Sequence, residues 1–313
     1  MKPDKTLLAL AATVVLWASA FPAIRVALEG YGPGPLSLLR LLVATATLAA
    51  VLPWVTVRLP GRRDLPRIVA VGAAGMSAYQ LLLNWGEVHV PAGTAALIVA
   101  TVPAISALLA AAFLGERLGP AKVGGSLCAL AGTALIAVTG GRTGYTAAAW
   151  TVLAAAVAQA VYHFAIKPLL RDYSGFEVAV YAMVAGTVLL LPLAPATVRA
   201  VADAPAGATL AALYLGVLPS AAGFVVWGYA VARLTVTAAT AALYLVPVTA
   251  LVVAYVWLGE KPGLVECLGG VVTLAGVALL NRRPRPGGPG GDRTAGDAPG
   301  GVPARSPAGP SGR

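Results

Sequence analysis

An all-α, polytopic membrane protein with ten transmembrane helices, arranged as two inverted five-helix repeats, is the architecture this sequence predicts. Three observations carry that prediction. The chain of 313 residues is 58% hydrophobic and only 11% charged, and its mean hydropathy of +0.82 is far outside the range of soluble domains. A spanning helix needs roughly 17–25 apolar residues, because the hydrocarbon layer is about 30 Å thick and every backbone polar group inside it must be bonded internally. Stretches of that kind lie at about 6–28, 35–55, 66–88, 92–114, 120–139, 147–166, 176–194, 209–232, 236–258 and 262–281. The third observation is a segment that occurs twice.

Pro103 to Gly132 runs from one apolar helix through Leu114-Gly115-Glu116-Arg117 into another, and adding 144 to each number gives Pro247 to Gly276, with Leu258-Gly259-Glu260-Lys261 at its centre. Gly119, Gly125, Leu130, Ala131, Ala134 and Leu135 fall on Gly263, Gly269, Leu274, Ala275, Ala278 and Leu279 under the same offset. Internal symmetry of this kind is a mark of transporters. It divides the chain into a first repeat at 1–140, a second at 141–283, and a Gly- and Pro-rich remainder at 284–313. That last stretch cannot bury a core and is expected to be a disordered cytoplasmic tail.

The net charge of +10 reports orientation and not a nucleic-acid partner. With the N-terminus in the cytoplasm, the inner side holds Lys2, Lys5, Arg58, Arg62, Arg63, Arg67, Arg117, Lys122, Lys167, Arg171, Arg233 and the C-terminal Arg282, Arg283 and Arg285. The outer side keeps Arg142, Arg199 and Lys261, plus Arg25 and Arg40 near outer helix ends. The positive-inside rule then puts both termini in the cytoplasm of a multi-pass plasma (inner) membrane protein. Five helices per half oblige the second half to enter from the opposite side, which makes the repeat inverted. Cys128 and Cys267 stand opposite Val272 and Val123 in the repeat. They read as packing residues, with neither a disulfide framework nor metal-ligand spacing.

Along the chain, the short basic start and Ala18-Ser19-Ala20 admit a cleaved signal peptide. The echo of Ala23-Ile24-Arg25 in Ala165-Ile166-Lys167 favours a retained helix instead. Trp17 and Phe21 share a face, and Pro22 is expected to bend the helix. Arg40 either snorkels to the interface or points inward as an anchor for an anionic group. In the third helix Gln80, Asn84 and Glu87 form one stripe flanked by Tyr79. Such a stripe serves as helix-to-helix glue or as the lining of a cavity. The fourth and fifth helices, rich in Ala and Gly, read as scaffold. The sixth repeats the polar theme with Gln159 and His163, beside Tyr162; the histidine is either structural or a titrating group. Trp227 and Tyr244 complete the aromatic set, while Pro103, Pro219 and Pro247 mark helices expected to break where a ligand binds.

Leu16-Trp17-Ala18-Ser19-Ala20-Phe21, Arg40 in the second helix, and the duplicated Pro-helix-Leu-Gly-Glu-Arg/Lys-helix-Gly segment resemble the EamA-type family of the drug/metabolite transporter superfamily. The resemblance runs from Thr6 to Asn281. It implies a ten-helix bundle with a central cavity and alternating access, exporting amino acids or similar small metabolites. It supplies no dependable ligand-contact motif. Arg40 departs from internal symmetry, since its counterpart at an offset of 142 is Ala182.

The chain lacks Gly-x-x-x-x-Gly-Lys-Ser/Thr, so a secondary carrier or facilitator without a cofactor is expected. The expected partners are a small-molecule substrate and the lipid bilayer; the sequence leaves the oligomeric state open. The cavity is assigned to Trp17, Phe21, Arg40, Tyr79, Gln80, Asn84, Gln159, Tyr162, His163, Trp227 and Tyr244, with His163 and Glu87 as proton carriers if transport is proton-coupled. A membrane-embedded enzyme is the alternative from another class. The absence of Gly-x-Ser-x-Gly, of His-Glu-x-x-His and of paired intramembrane aspartates argues against it. A non-transporting receptor or scaffold is the third reading.

Overall fold

The computed structural model describes residues 4–115, 119–139, 145–261 and 263–280. Glu116 and Arg117 of the duplicated turn, the join at 140–144 and the tail lie outside them. Every regular element among the described residues is helical, with no strand among them. We label the helices α1 (Lys5–Leu28), α2 (Pro33–Trp54), α3 (Leu65–Glu87), α4 (Ala92–Phe113), α5 (Pro120–Thr139), α6 (Tyr145–Leu169), α7 (Gly175–Asp203), α8 (Ala206–Arg233), α9 (Val236–Leu258) and α10 (Leu264–Leu280). Eight of them are long and apolar enough to cross a membrane. In α5 and α10 the apolar runs are shorter, Val123–Gly132 and Cys267–Gly276. One boundary differs from expectation: the seventh helix does not stop near residue 194. It passes through a tight turn at Leu191–Leu193 and continues over Ala194–Asp203, where Pro192 permits the turn and the Val-Arg-Ala-Val-Ala-Asp sequence restores helical propensity.

The prolines break the helices where their missing N–H groups require it. In α1 the break falls at Ser19, just before Pro22. The interruption of α4 at Ala100-Thr101 precedes Pro103, and that of α9 at Ala242–Tyr244 precedes Pro247. In α8 Pro219 sits inside a π-helical turn, Gly216–Ala222. A second π turn, Gly72–Ala78 in α3, has no proline and was not foreseeable from one.

These irregularities obey the repeat. The two π turns begin 144 residues apart, and so do Gly115 and Gly259, whose φ values of 70° and 68° close α4 and α9 in the left-handed conformation that glycine alone adopts without strain. Packing obeys it as well. The pairs α1–α8 and α2–α8 are mirrored by α6–α3 and α7–α3, while α4–α9 and α5–α10 map onto themselves. At the crossing of α5 and α10 the Cys128 thiol lies 3.7 Å from the carbonyl of Val272, its own repeat equivalent.

The start of each π turn is pressed against a neighbouring helix. A Cβ on Gly216 would lie 2.5 Å from Val43 and 3.1 Å from the Arg40 carbonyl; one on Gly72 would lie 2.6 Å from Ala185 and 3.0 Å from the Ala182 carbonyl. Arg40 and Ala182 thus occupy equivalent places. Only one half carries the charge.

Basic side chains cap equivalent helix ends. Arg25 donates to the carbonyl of Glu87 at the end of α3, and Lys167 donates to the carbonyls of Val231 and Leu234 at the end of α8, a favourable place for a cation on the helix dipole. A third polar cluster joins the 56–64 segment to α7. Ser174 and Glu177 form a capping box, and Arg58 reaches both Glu177 carboxylate oxygens at 2.9 and 3.1 Å as well as the Asp172 carbonyl. The hydrogen bond to Glu177 raises the Arg58 pKa above its ordinary value. Because the Glu177 side chain is only 5% exposed, Arg58→Ala should lower the melting temperature of the detergent-solubilised protein by leaving that carboxylate without its counter-ion, held only by the backbone N–H groups of Ser174 and residue 58. Adding Glu177→Gln should recover part of that loss; two simply additive losses would show that the pairing is irrelevant.

Candidate functional site

The breaks in α1, α4, α8 and α9 converge on the polar stripes of α3 and α6. Trp17 is the hub. Its indole N–H donates to the Pro219 carbonyl at 3.1 Å, an acceptor at a π turn where the regular helical hydrogen bonding is displaced. Its ring packs 5.3 Å from Trp227 and 5.1 Å from Phe224 and stacks parallel to His163 at 6.0 Å. His163 in turn lies 4.6 Å from Trp227 and 5.6 Å from Tyr162. These offset and tilted contacts suit the ring quadrupoles.

Arg40 is 4% exposed. Its guanidinium reaches Asn84 Oδ1 at 3.5 Å and Ser220 Oγ at 3.3 Å, and Asn84 donates onward to Ser37. The Arg40 Nε has no partner. Snorkelling to an interface is therefore not what this arginine does: it is held inside the bundle by two long, neutral hydrogen bonds. Other buried polar atoms around it are also unpaired: both amide atoms of Gln80, both carboxylate oxygens of Glu87, Gln159 Oε1, His163 Nδ1 and Trp227 Nε1. Gln159 Nε2 and His163 Nε2 are 3.2 Å apart. Unpaired buried polar atoms are costly and rare in a finished core. Their concentration here marks a place that accepts a polar guest.

Two cavities occupy it. The larger, with about 380 Å³ of unfilled space, is bounded by Trp17, Phe21, Tyr79, Gln159 and His163 on its aromatic and polar side. Its other walls are Ala96, Val99, Ala100, Val102 and Pro103 of α4 and Leu243, Val246 and Pro247 of α9. The smaller, about 320 Å³, shares Trp17, Phe21, Tyr79 and Gln159 with the first and adds Arg40, Leu83, Pro219 and Phe224. Of the sequence-predicted cavity residues, Trp17, Phe21, Arg40, Tyr79, Gln159 and His163 line these spaces. Gln80, Asn84, Tyr162 and Trp227 are buried behind the lining, and Tyr244 is half-buried beside it. Pro103 and Pro247, expected to mark breaks where a ligand binds, are in the lining; the other apolar wall residues of α4 and α9 were missed, α4 having been read as scaffold, because small apolar side chains carry no signal that separates lining from packing.

The sequence profile of the EamA-like transporter family matches residues 4–138 and again 146–282. The chain belongs to the EamA-like transporter family. A "Probable terminal-alkyne amino-acid exporter" of Streptantibioticus cattleyicolor is 62% identical over 283 residues, covering 90% of this chain and 95% of that protein. An uncharacterized transporter of Bacillus subtilis, YdfC, is 37% identical over 265 residues, covering 84% of this chain and 87% of its own. A crystal structure superposes with a TM-score of 0.63 at 23% identity, covering 88% of this chain and 96% of that one; at that identity it speaks for the fold alone. This EamA-like protein is thus a multi-pass membrane transporter for small molecules and not an enzyme. The family match falls on both halves.

Proposed function

We propose that this chain is a secondary exporter of amino acids or close analogues, working by alternating access across the plasma membrane. In this reading α5 and α10 also span, giving ten helices in two inverted halves, at 1–140 and 141–283, with both termini and the 284–313 tail in the cytoplasm. The observation that carries it is Arg40: a buried cation beside a cavity, with one N–H unpaired and no carboxylate hydrogen-bonded to it. An amino-acid carboxylate supplies that acceptor, and charge-assisted hydrogen bonds of this type are the strong ones. The relative whose name reads "Probable terminal-alkyne amino-acid exporter" supports the same substrate class. Counterflow of labelled alanine into proteoliposomes is the test, and absence of flux across a panel of neutral amino acids would end the proposal.

Glu87 is the candidate for proton coupling. Both of its oxygens are buried without partners, in the field of Arg25, Arg40 and Glu260, next to an open vestibule lined by Arg25, Val88 and Glu260. Glu87→Gln is expected to abolish the response of uptake to an imposed pH gradient while leaving slower downhill exchange. A gradient response equal to that of the parent protein would remove Glu87 from the path.

A further inference from the structure

The walls of the larger cavity come in pairs. Val99, Val102 and Pro103 of α4 stand opposite Leu243, Val246 and Pro247 of α9, and each is the other's repeat equivalent at the offset of 144. The pseudo-two-fold axis relating the halves therefore runs through this cavity, between the break at Ala100-Thr101 and the break at Ala242–Tyr244. A broken helix normally exposes carbonyls that invite polar contacts. Here the Thr101 hydroxyl is turned back onto the Ile98 carbonyl at 2.8 Å, and the side chains presented by α4 and α9 are all apolar.

We propose that this paired slot is where the protein reads the substrate's side chain, and that it selects short apolar side chains on an amino acid whose carboxylate is held by Arg40. The inference rests on the amino-acid reading above. The two cavities share Trp17, Phe21, Tyr79 and Gln159 as walls, so a molecule with its carboxylate on the Arg40 side has its side chain directed past those rings into the slot. Each methylene placed against α4 and α9 leaves water for apolar contact, whereas a hydroxyl or amide there finds no donor or acceptor, the polar groups of this cavity being Tyr79, Gln159 and His163 of α3 and α6. Ala100 at the α4 break sets the depth on one side, and its repeat equivalent, Tyr244, is not among the lining residues. Leu243 sets it on the other.

The experiment is competition of labelled alanine counterflow in proteoliposomes by alanine, 2-aminobutyrate, norvaline, norleucine and serine. For the parent protein the inhibition constant is expected to fall about fourfold with each methylene from alanine to norvaline, and serine should compete at least tenfold less well than 2-aminobutyrate. Ala100→Leu fills the slot and should cut the preference for norleucine over alanine by tenfold or more. Leu243→Ala should move the optimum to a longer side chain. If Ala100→Leu does not fold, Leu243→Ala decides alone. Constants that ignore side-chain length in the parent, or variants that weaken all competitors equally, would overturn the slot while leaving amino-acid transport standing. If no amino acid competes at all, the amino-acid reading falls first and the slot with it.

Discussion

Replacing Arg40 by glutamine is expected to weaken amino-acid affinity on the order of 10- to 100-fold, measured as the inhibition constant in counterflow. The magnitude follows from a hydrogen bond to a charged group, about 1.5–3 kcal/mol, at 1.4 kcal/mol per tenfold. Arg40→Lys should recover only part of it. An ammonium cannot reproduce the planar fork that touches Asn84 and Ser220 at once and still offers an N–H to a ligand. The same substitutions should act in the opposite sense on stability. With no ligand bound, the guanidinium is a desolvated cation satisfied by two neutral partners, so Arg40→Met should raise the melting temperature. Unchanged affinity in Arg40→Gln would remove Arg40 from the site, and a large loss of stability in Arg40→Met would make it a structural residue.

The second large effect is structural. Gly175 opens α7 against α8, and a Cβ there would sit 2.6 Å from both the Gly228 carbonyl carbon and the Tyr229 nitrogen. Those are backbone atoms of a helix, with no rotamer to yield. Gly175→Ala must therefore push the two helices apart, at a cost of about 1–3 kcal/mol or more for overpacking, read as a fall of several degrees in melting temperature. Gly207, also in α8, meets nothing within 4 Å, so Gly207→Ala should be neutral or mildly stabilising through helix propensity. Equal behaviour of the two variants would show that the α7–α8 contact is looser than described.

Most of the frame was legible because membrane insertion writes simple rules into sequence. Length and apolarity located the helices, and the breaks in α4 and α9 were legible because proline cannot donate its backbone hydrogen bond. The polar stripe of Gln80, Asn84 and Glu87 was legible because such residues are rare in lipid; all three prove to be buried. Three things were not. The π turn at Gly72–Ala78 lacks a proline and differs from ordinary helix only in its hydrogen-bond register. The extension of α7 to Asp203 leaves the apolar run that defined the span. The walls around Ala96 and Ala100 are hidden because hydropathy measures transfer into oil, and an alanine beside a cavity scores like one beside another helix.

The pair of π turns carries a historical consequence. Such a turn is an α-helix that has accommodated one surplus residue, and the surplus falls at the same place in α3 and α8. Two independent insertions landing on one site and keeping the same wide turn would be a coincidence. The surplus residue is therefore older than the duplication, whereas the difference between Arg40 and Ala182 is younger than it.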